Sequence, residues 1–334
     1  MPPLRLSVLD QSPIVEGSTG AQALANTLDL ARHVDRLGYT RYWLAEHHGI
    51  PSLAGTSPEA LVGPVASATQ RIRVGSGGVM LPYYSPLKVA ETFSVLSGLY
   101  PGRIDLGLGR APGGDTETLV ALQRQRGAPF GDDFADQLVE LLAWLRGGIP
   151  ADHPWSRLTT LPGRPETPEV WLLGSSPDSA TWAAQLGLGY AFADFINPNG
   201  AEIAASYRER FEPGERDEPA VVVGVAAVCA ETDEEAERLS WSRWAARVMS
   251  RQGRRGGIPS PEEALSYPYL ASDRAYIEYM RERSIFGSPA RVKAKLLALA
   301  ELYDVDEFVV LTITYDFAAR VRSYELLAEA FRSE

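Results

Sequence analysis

The chain has 334 residues, 45% of them hydrophobic and 22% charged, and a formal net charge of −11. These proportions exclude a disordered chain and a coiled coil and leave enough apolar residues for a large core; the acidic balance argues against nucleic acid or an anionic membrane surface as the main partner. A single cysteine, Cys229, excludes an internal disulfide and a cysteine-rich metal site. The first residues lack the apolar run of a signal peptide, and no stretch approaches the roughly 18 apolar residues of a spanning helix, so a cytoplasmic protein is expected.

Leu4–Asp10 is a short apolar run that reads as a buried strand. Thr19-Gly-Ala-Gln22 has capping-box spacing, Leu24, Leu28, Ala31 and Val34 follow at helical intervals, and Gly38 sits where a C-cap glycine belongs. A second strand covers Arg41–Ala45, and Ser57-Pro58 opens a helix. A third strand spans Ile72–Leu81, with a helix from Ser85-Pro86 to near Gly98; a fourth spans Ile104–Gly109. A helix is expected from about Asp132 to Leu145, followed by a Gly- and Pro-rich connection to Pro168. Val170–Gly174, Tyr190–Asp194, Val221–Ala230 and Glu307–Thr312 read as further strands. Helices are expected from Ser176-Pro177, over Ala201–Phe211 and Thr232–Val248, from Ser288-Pro289, and over Ala318–Phe331.

Eight apolar strands alternating with helices predict a (β/α)8 TIM barrel, with a doubly wound open sheet as the alternative. No linker divides the chain, so residues 1–334 are expected to form a single domain. One segment, 247–283, breaks the rhythm with Gly253, Gly256, Gly257, Pro259, Pro261 and Pro268 among several tyrosines. This excursion between the seventh and eighth strands reads either as a lid or as a surface insertion.

Active sites of such barrels lie at the C-terminal ends of the strands. The second strand ends in Glu46-His47-His48. One histidine could serve as a base with Glu46 orienting it, or could be a structural strand-end histidine; adjacent side chains diverge, so a metal shared by both is not expected. The third strand carries Gly75-Ser-Gly-Gly78, which would let backbone approach a flat ligand or simply form a bulge. The fourth ends in Gly109-Arg110. Counting from Gly107, the third glycine position of a dinucleotide fingerprint holds Pro112, so that motif is absent. Arg110 at such a position suits a phosphate, or an ion pair with Asp105 or Glu46. Gly174, Ser175, Ser176 and Ser179 surround the next helix start, either as an anion site or as ordinary capping by Ser176. Arg247, Arg251, Arg254 and Arg255 form a basic cluster that is a solvated loop or a cover for a bound phosphate.

Taken in order, several segments resemble one family, the bacterial luciferase-like flavin-dependent monooxygenases. They are Ala45-Glu46-His47-His48, Val74–Pro82 with Ser85-Pro86, Pro101–Arg110, Trp171–Ser176 and Gly287-Ser-Pro289, and the likeness runs from about residue 4 to the C-terminus. The start, Leu6-Ser-Val-Leu-Asp-Gln-Ser-Pro13, is similar to that of the family's oxidoreductases. The resemblance implies a barrel using reduced FMN and O2 on a small organic substrate. F420-dependent hydride transfer, or flavin binding without turnover, stands as the alternative. It implies Glu46 and His47 near the flavin with His47 as base, a non-proline cis peptide at Gly77-Gly78 under the ring, and Gly109 and Arg110 with Gly174, Ser175, Ser176 and Ser179 at the phosphate. It further implies a separate flavin reductase, since no dinucleotide motif is present, and a homodimer packed through the helices after the second and third strands. Two positions depart from the luciferases: Gly109 stands in place of a reactive cysteine, and Asp194, between Phe192 and Phe195, in place of a tryptophan. These departures argue against light emission with a long-chain aldehyde.

Overall fold

The structure, a computed structural model, describes residues 4–110, 116–122, 133–163 and 166–332. The expected helix start at Asp132 and the Ala111–Asp115 continuation of the fourth strand's motif lie outside them.

β1 (Arg5–Asp10) leads into α1 (Gly20–Leu37). The Thr19 hydroxyl accepts from the Gln22 backbone N–H at 3.2 Å, and Gly38 ends the helix at φ +88°. Only half of the expected capping box forms, because the Gln22 side chain donates to Asn26 instead. β2 (Arg41–Leu44), α2 (Pro58–Ala68), β3 (Arg73–Met80), α3 (Pro86–Leu99) and β4 (Ile104–Gly109) follow the expected order within a residue or two. Next come α4 (Thr116–Leu122), α5 (Phe134–Arg146), β5 (Glu169–Gly174), α6 (Pro177–Gln185), β6 (Gly189–Ala193), α7 (Ala201–Glu209) and β7 (Val221–Cys229). α8 (Asp233–Arg251) runs three residues beyond its expected end, so the segment from residue 247 begins inside a helix. The rest of that segment forms α9 (Pro261–Ser266) and α10 (Ala271–Arg283). β8 (Ile285–Gly287), α11 (Pro289–Tyr303), β9 (Glu307–Leu311) and α12 (Phe317–Phe331) complete the chain.

All strand pairings are parallel, in the ring β1-β2-β3-β4-β5-β6-β7-β9, and β9 returns to β1. The ring is therefore a closed eight-stranded (β/α)8 TIM barrel, and the open doubly wound sheet is excluded. The sequence reading missed β8, whose three residues pair with Ala227–Cys229 outside the ring.

Strand alternation sorts the core into two shells. Outward residues such as Val8, Tyr42, Val74, Leu106, Leu172, Val223 and Val310 pack under the helices. Inward residues Leu9, Trp43, Trp171, Val222 and Val309 fill the barrel, with Trp43 edge-on to Trp171 at 5.6 Å. Below them, at the N-terminal ends of the strands, sits a charged plug. Arg41 reaches Asp105 at 2.9 Å and Glu307 at 3.0 Å, Arg73 reaches Asp105 at 2.6 Å and Glu169 at 3.1 Å, and Trp43 Nε1 donates to Asp105 at 2.8 Å. This plug fills the N-terminal end of the barrel interior, opposite the strand ends that are left for a ligand.

Candidate active site

The open end holds a cavity of about 400 Å³, a size suited to one organic ligand. The ten residues expected at the site all line it: Glu46 and His47 from the end of β2, Gly77 and Gly78 in β3, Gly109 and Arg110 from β4, and Gly174, Ser175, Ser176 and Ser179 from β5 and α6. They meet because parallel strands bring all their C-terminal ends to one face.

Gly77–Gly78 is a cis peptide bond. A Cβ on Gly77 would stand 2.8 Å from Leu9 and 2.9 Å from Trp43; one on Gly78 would stand 2.8 Å from the Gly107 carbonyl. Only glycine fits either position, and the cavity wall there is bare backbone.

Glu46 is buried and fully engaged. Its Oε1 accepts from His48 Nε2 at 2.7 Å and from the Tyr84 hydroxyl at 2.9 Å, and its Oε2 accepts from the Met80 N–H at 2.9 Å. The carboxylate thus ties the ends of β2 and β3 together. It orients His48, not His47 as the sequence suggested, because the neighbouring side chains diverge. The His47 backbone N–H donates to the Gly55 carbonyl at 2.8 Å, while its Nδ1 is buried without a hydrogen-bond partner among the described residues. Burial, and then the nearby charges of His48 and Arg247, push the His47 pKa down to about 4. The ring is therefore neutral at pH 7, lines the cavity and carries a buried nitrogen that no described residue engages.

Arg110 lines the same cavity from the end of β4. Its guanidinium stacks 5.1 Å from the Trp182 ring and stands 3.6 Å from Asp178, both residues of α6. The acids weighed from sequence, Asp105 and Glu46, are committed elsewhere. Ser176 is the N-cap residue of α6, but its hydroxyl does not cap the helix. Capping by Ser176 is therefore not what this serine does, and the first turn keeps N–H groups free. Ser179 Oγ donates to the Ser176 carbonyl at 2.8 Å and lies 3.2 Å from the Tyr190 hydroxyl. A positively polarised helix start, hydroxyls of Ser175 and Ser176 without a partner among the described residues, and one guanidinium make an anion cradle.

Several lining residues escaped the sequence reading. Trp43, Phe192 and Phe195 give the cavity aromatic walls, Gln11 stands beyond β1, and Trp182 supports Arg110. Asp194 does not line the cavity; it accepts from the Tyr303 hydroxyl at 2.7 Å, and burial raises its pKa. Cys229 is buried in β7 with its thiol pushed up to about 12 by burial and Glu231, so it is inert. Of the basic cluster, Arg251 lies over Tyr276 and Arg254 pairs with Glu16 and Glu263. Among the described residues, no group of three or more His, Cys, Asp or Glu side chains is placed to hold a metal.

A family profile described as luciferase-like monooxygenase matches residues 4–305. A luciferase-like monooxygenase of Escherichia coli K12 is 40% identical over 97% of this chain and 96% of its own length. An N-acetyl-S-alkylcysteine monooxygenase of Bacillus subtilis 168 is 39% identical over 98% of each chain. The crystal structure of apo-MsnO8 superposes with a TM-score of 0.89 at 40% identity, covering 98% of both chains.

Proposed function

The chain belongs to the luciferase-like monooxygenase family, and on that premise we propose that it is a flavin-dependent monooxygenase that uses reduced FMN and O2 to oxidise a small organic substrate. One observation carries the reading. A single cavity joins an anion cradle, a flat wall of bare glycine backbone and a neutral histidine with an unused ring nitrogen.

The residues fit FMN. Arg110, the N–H groups at the start of α6 and the hydroxyls of Ser175 and Ser176 would hold its phosphate. Asp178, now beside Arg110, would give way to that stronger anion. Gly77 and Gly78 would let the ring lie against the strand. Bound reduced FMN supplies the electrons that activate O2. The chain's own part is positioning, exclusion of water by the aromatic walls, and proton handling. His47 would accept the proton, and an anionic ligand beside the ring would raise its basicity from the low value of the free protein. Glu46 acts at one remove, by fixing His48 and the end of β3.

The same reading draws reduced flavin from a separate reductase, since the fourth-strand motif lacks the third glycine of a dinucleotide site, and places the protein in the cytoplasm. Among the described residues no helix is long and apolar enough to cross a membrane. Because one relative is named for N-acetyl-S-alkylcysteine, S-alkyl thioethers head the substrates to test, followed by sulfonates, aldehydes and aromatics.

The experiment has two arms. Wild-type protein is titrated with FMN and with F420, and Arg110→Ala is expected to bind FMN at least tenfold more weakly. With FMNH2, air and the substrate panel, His47→Ala is expected to keep FMN affinity and lose at least a hundredfold in turnover. Tight F420 binding without FMN binding would establish hydride transfer instead. FMN binding without any product would establish a carrier.

A further inference from the structure

On α8, Arg243, Ala246 and Arg247 lie three and four residues apart and so share one face. Ala246 packs into the cluster inside the barrel with Leu311 and Ile313, which turns that face toward the open end. Arg243 lines a small recess with Ala226 of β7 and with Leu311 and Ile313 of β9 and the turn after it. Ala226 and Leu311 are the next inward residues after Gly224 and Val309, which line the main cavity. Arg243 therefore stands one layer above the cavity, on the β7–β9 rim. Arg247 follows one helical turn later, near enough to His47 for its charge to act on that ring.

Of the arginines near this face, Arg251 lies over the Tyr276 ring and three others have acids. Arg238 pairs with Glu235 and Glu262, Arg281 with Glu237, and Arg254 with Glu16 and Glu263. Arg243 and Arg247 have neither an ion pair nor a hydrogen bond among the described residues. Arg243 is part-buried, and the charge that acts on it most is the repulsive one of Arg247. Burial and that repulsion together hold its pKa below the arginine norm. Arg243 is partly withdrawn from water without a counter-ion, a cost that an arriving anion would relieve, while Arg247 beside it is open to solvent and to a ligand. The phosphate cradle at Arg110 lies three strands further round the barrel, between β4 and β5, so the arriving anion is a different one.

We propose that Arg243 and Arg247 form the subsite for the charged end of the substrate, which is a small organic acid, a carboxylate or a sulfonate. Its apolar part would lie over Ala226 and Leu311 and point into the cavity beside His47. Planar guanidinium groups suit either anion bidentately. The proposal rests on the monooxygenase reading above and narrows its substrate class.

The test uses the full-length protein with and without FMN. Probes are ω-phenylalkanoates from phenylacetate to 5-phenylvalerate, each against its primary amide, with the matching phenylalkylsulfonates as the second anion class. Binding is read by calorimetry. In the wild type the best acid should bind at least tenfold more tightly than its amide, and the carboxylate and sulfonate arms decide between the two anions. R243Q and R247Q should each cut that preference to about threefold or less, while R243K keeps most of it. Affinity for the amide and for FMN should stay within twofold in every variant, which also shows that the variants are folded. The proposal is overturned if no acid is preferred over its amide or if the double variant keeps the preference. It is also overturned if FMN affinity falls in parallel, which would give the pair to the flavin. Absence of FMN binding in the wild type would contradict the flavin reading alone, since the acid preference is read separately in the cofactor-free protein.

Discussion

His47 shows how a single residue records its surroundings. Its folded pKa of about 4 lies below the 6.5 of a free histidine, chiefly because burial, and after it repulsion from His48 and Arg247, opposes the charged ring. The unfolded chain therefore takes up the proton first. Stability is fully present above pH 6.5, falls as the pH drops from 6.5 to about 4, and is level below that. The linkage amounts to about 3 kcal/mol at most. Urea unfolding at pH 7 and at pH 4.5 should show His47→Gln losing less stability than the wild type by about 1–3 kcal/mol. An equal loss in both proteins would show that His47 is not desolvated in the fold. Glu46 teaches the complementary lesson. Adjacent in sequence to His47, it hydrogen-bonds His48, Tyr84 and Met80, so its part in the site is to hold two strand ends together.

At the scale of elements, the buried plug under the barrel is the most demanding local structure. Asp105 accepts from Arg41, Arg73 and Trp43 at once. Asp105→Ala would leave two guanidinium groups with a smaller share of acid in a dry place, at a cost of about 3–5 kcal/mol. Chemical denaturation should show that loss, and FMN affinity measured well below the transition should survive it, because the plug and the cavity lie at opposite ends of the strands. The strands and their order were legible because each parallel strand is a short apolar run between turn residues, and Ser-Pro pairs mark helix starts at Ser57, Ser85, Ser176 and Ser288. The strand-end residues of the cavity were legible for the same reason, since topology alone sends them to one face. β8 was not legible: three residues carry no periodicity, and its pairing with Ala227–Cys229 is set by tertiary packing. The partners of Glu46, and the choice of Asp178 by Arg110, were hidden because side-chain direction at a strand end is decided by neighbours far away in the chain. Arg247 was legible only as part of a basic cluster, and its pairing with Arg243 was not, because a charged helix position looks solvated until the helix is seen to pack at the β7–β9 rim.

On the scale of the whole molecule, the net charge of −11 coexists with a local positive field at the open end. Arg110, Arg243 and Arg247 gather there, while acids such as Asp105, Glu169 and Glu307 are spent on the plug. Such a field would draw small anions to the mouth and leave the rest of the surface repelling nucleic acid. The exterior also carries Val95 and Leu99 exposed on α3, 47% and 66% accessible and one turn apart. The homodimer expected from the sequence would cover them, and light scattering at twice the chain mass would check it. A monomer at micromolar concentration would remove that assembly without touching the cavity.

The most direct test of the flavin assignment is a crystal structure of the protein soaked with FMN. The account predicts the phosphate between Arg110 and the start of α6, within hydrogen-bond distance of Ser175 or Ser176, with the ring against Gly77–Gly78 and facing His47. A phosphate elsewhere, or a ring outside this slot, would contradict it.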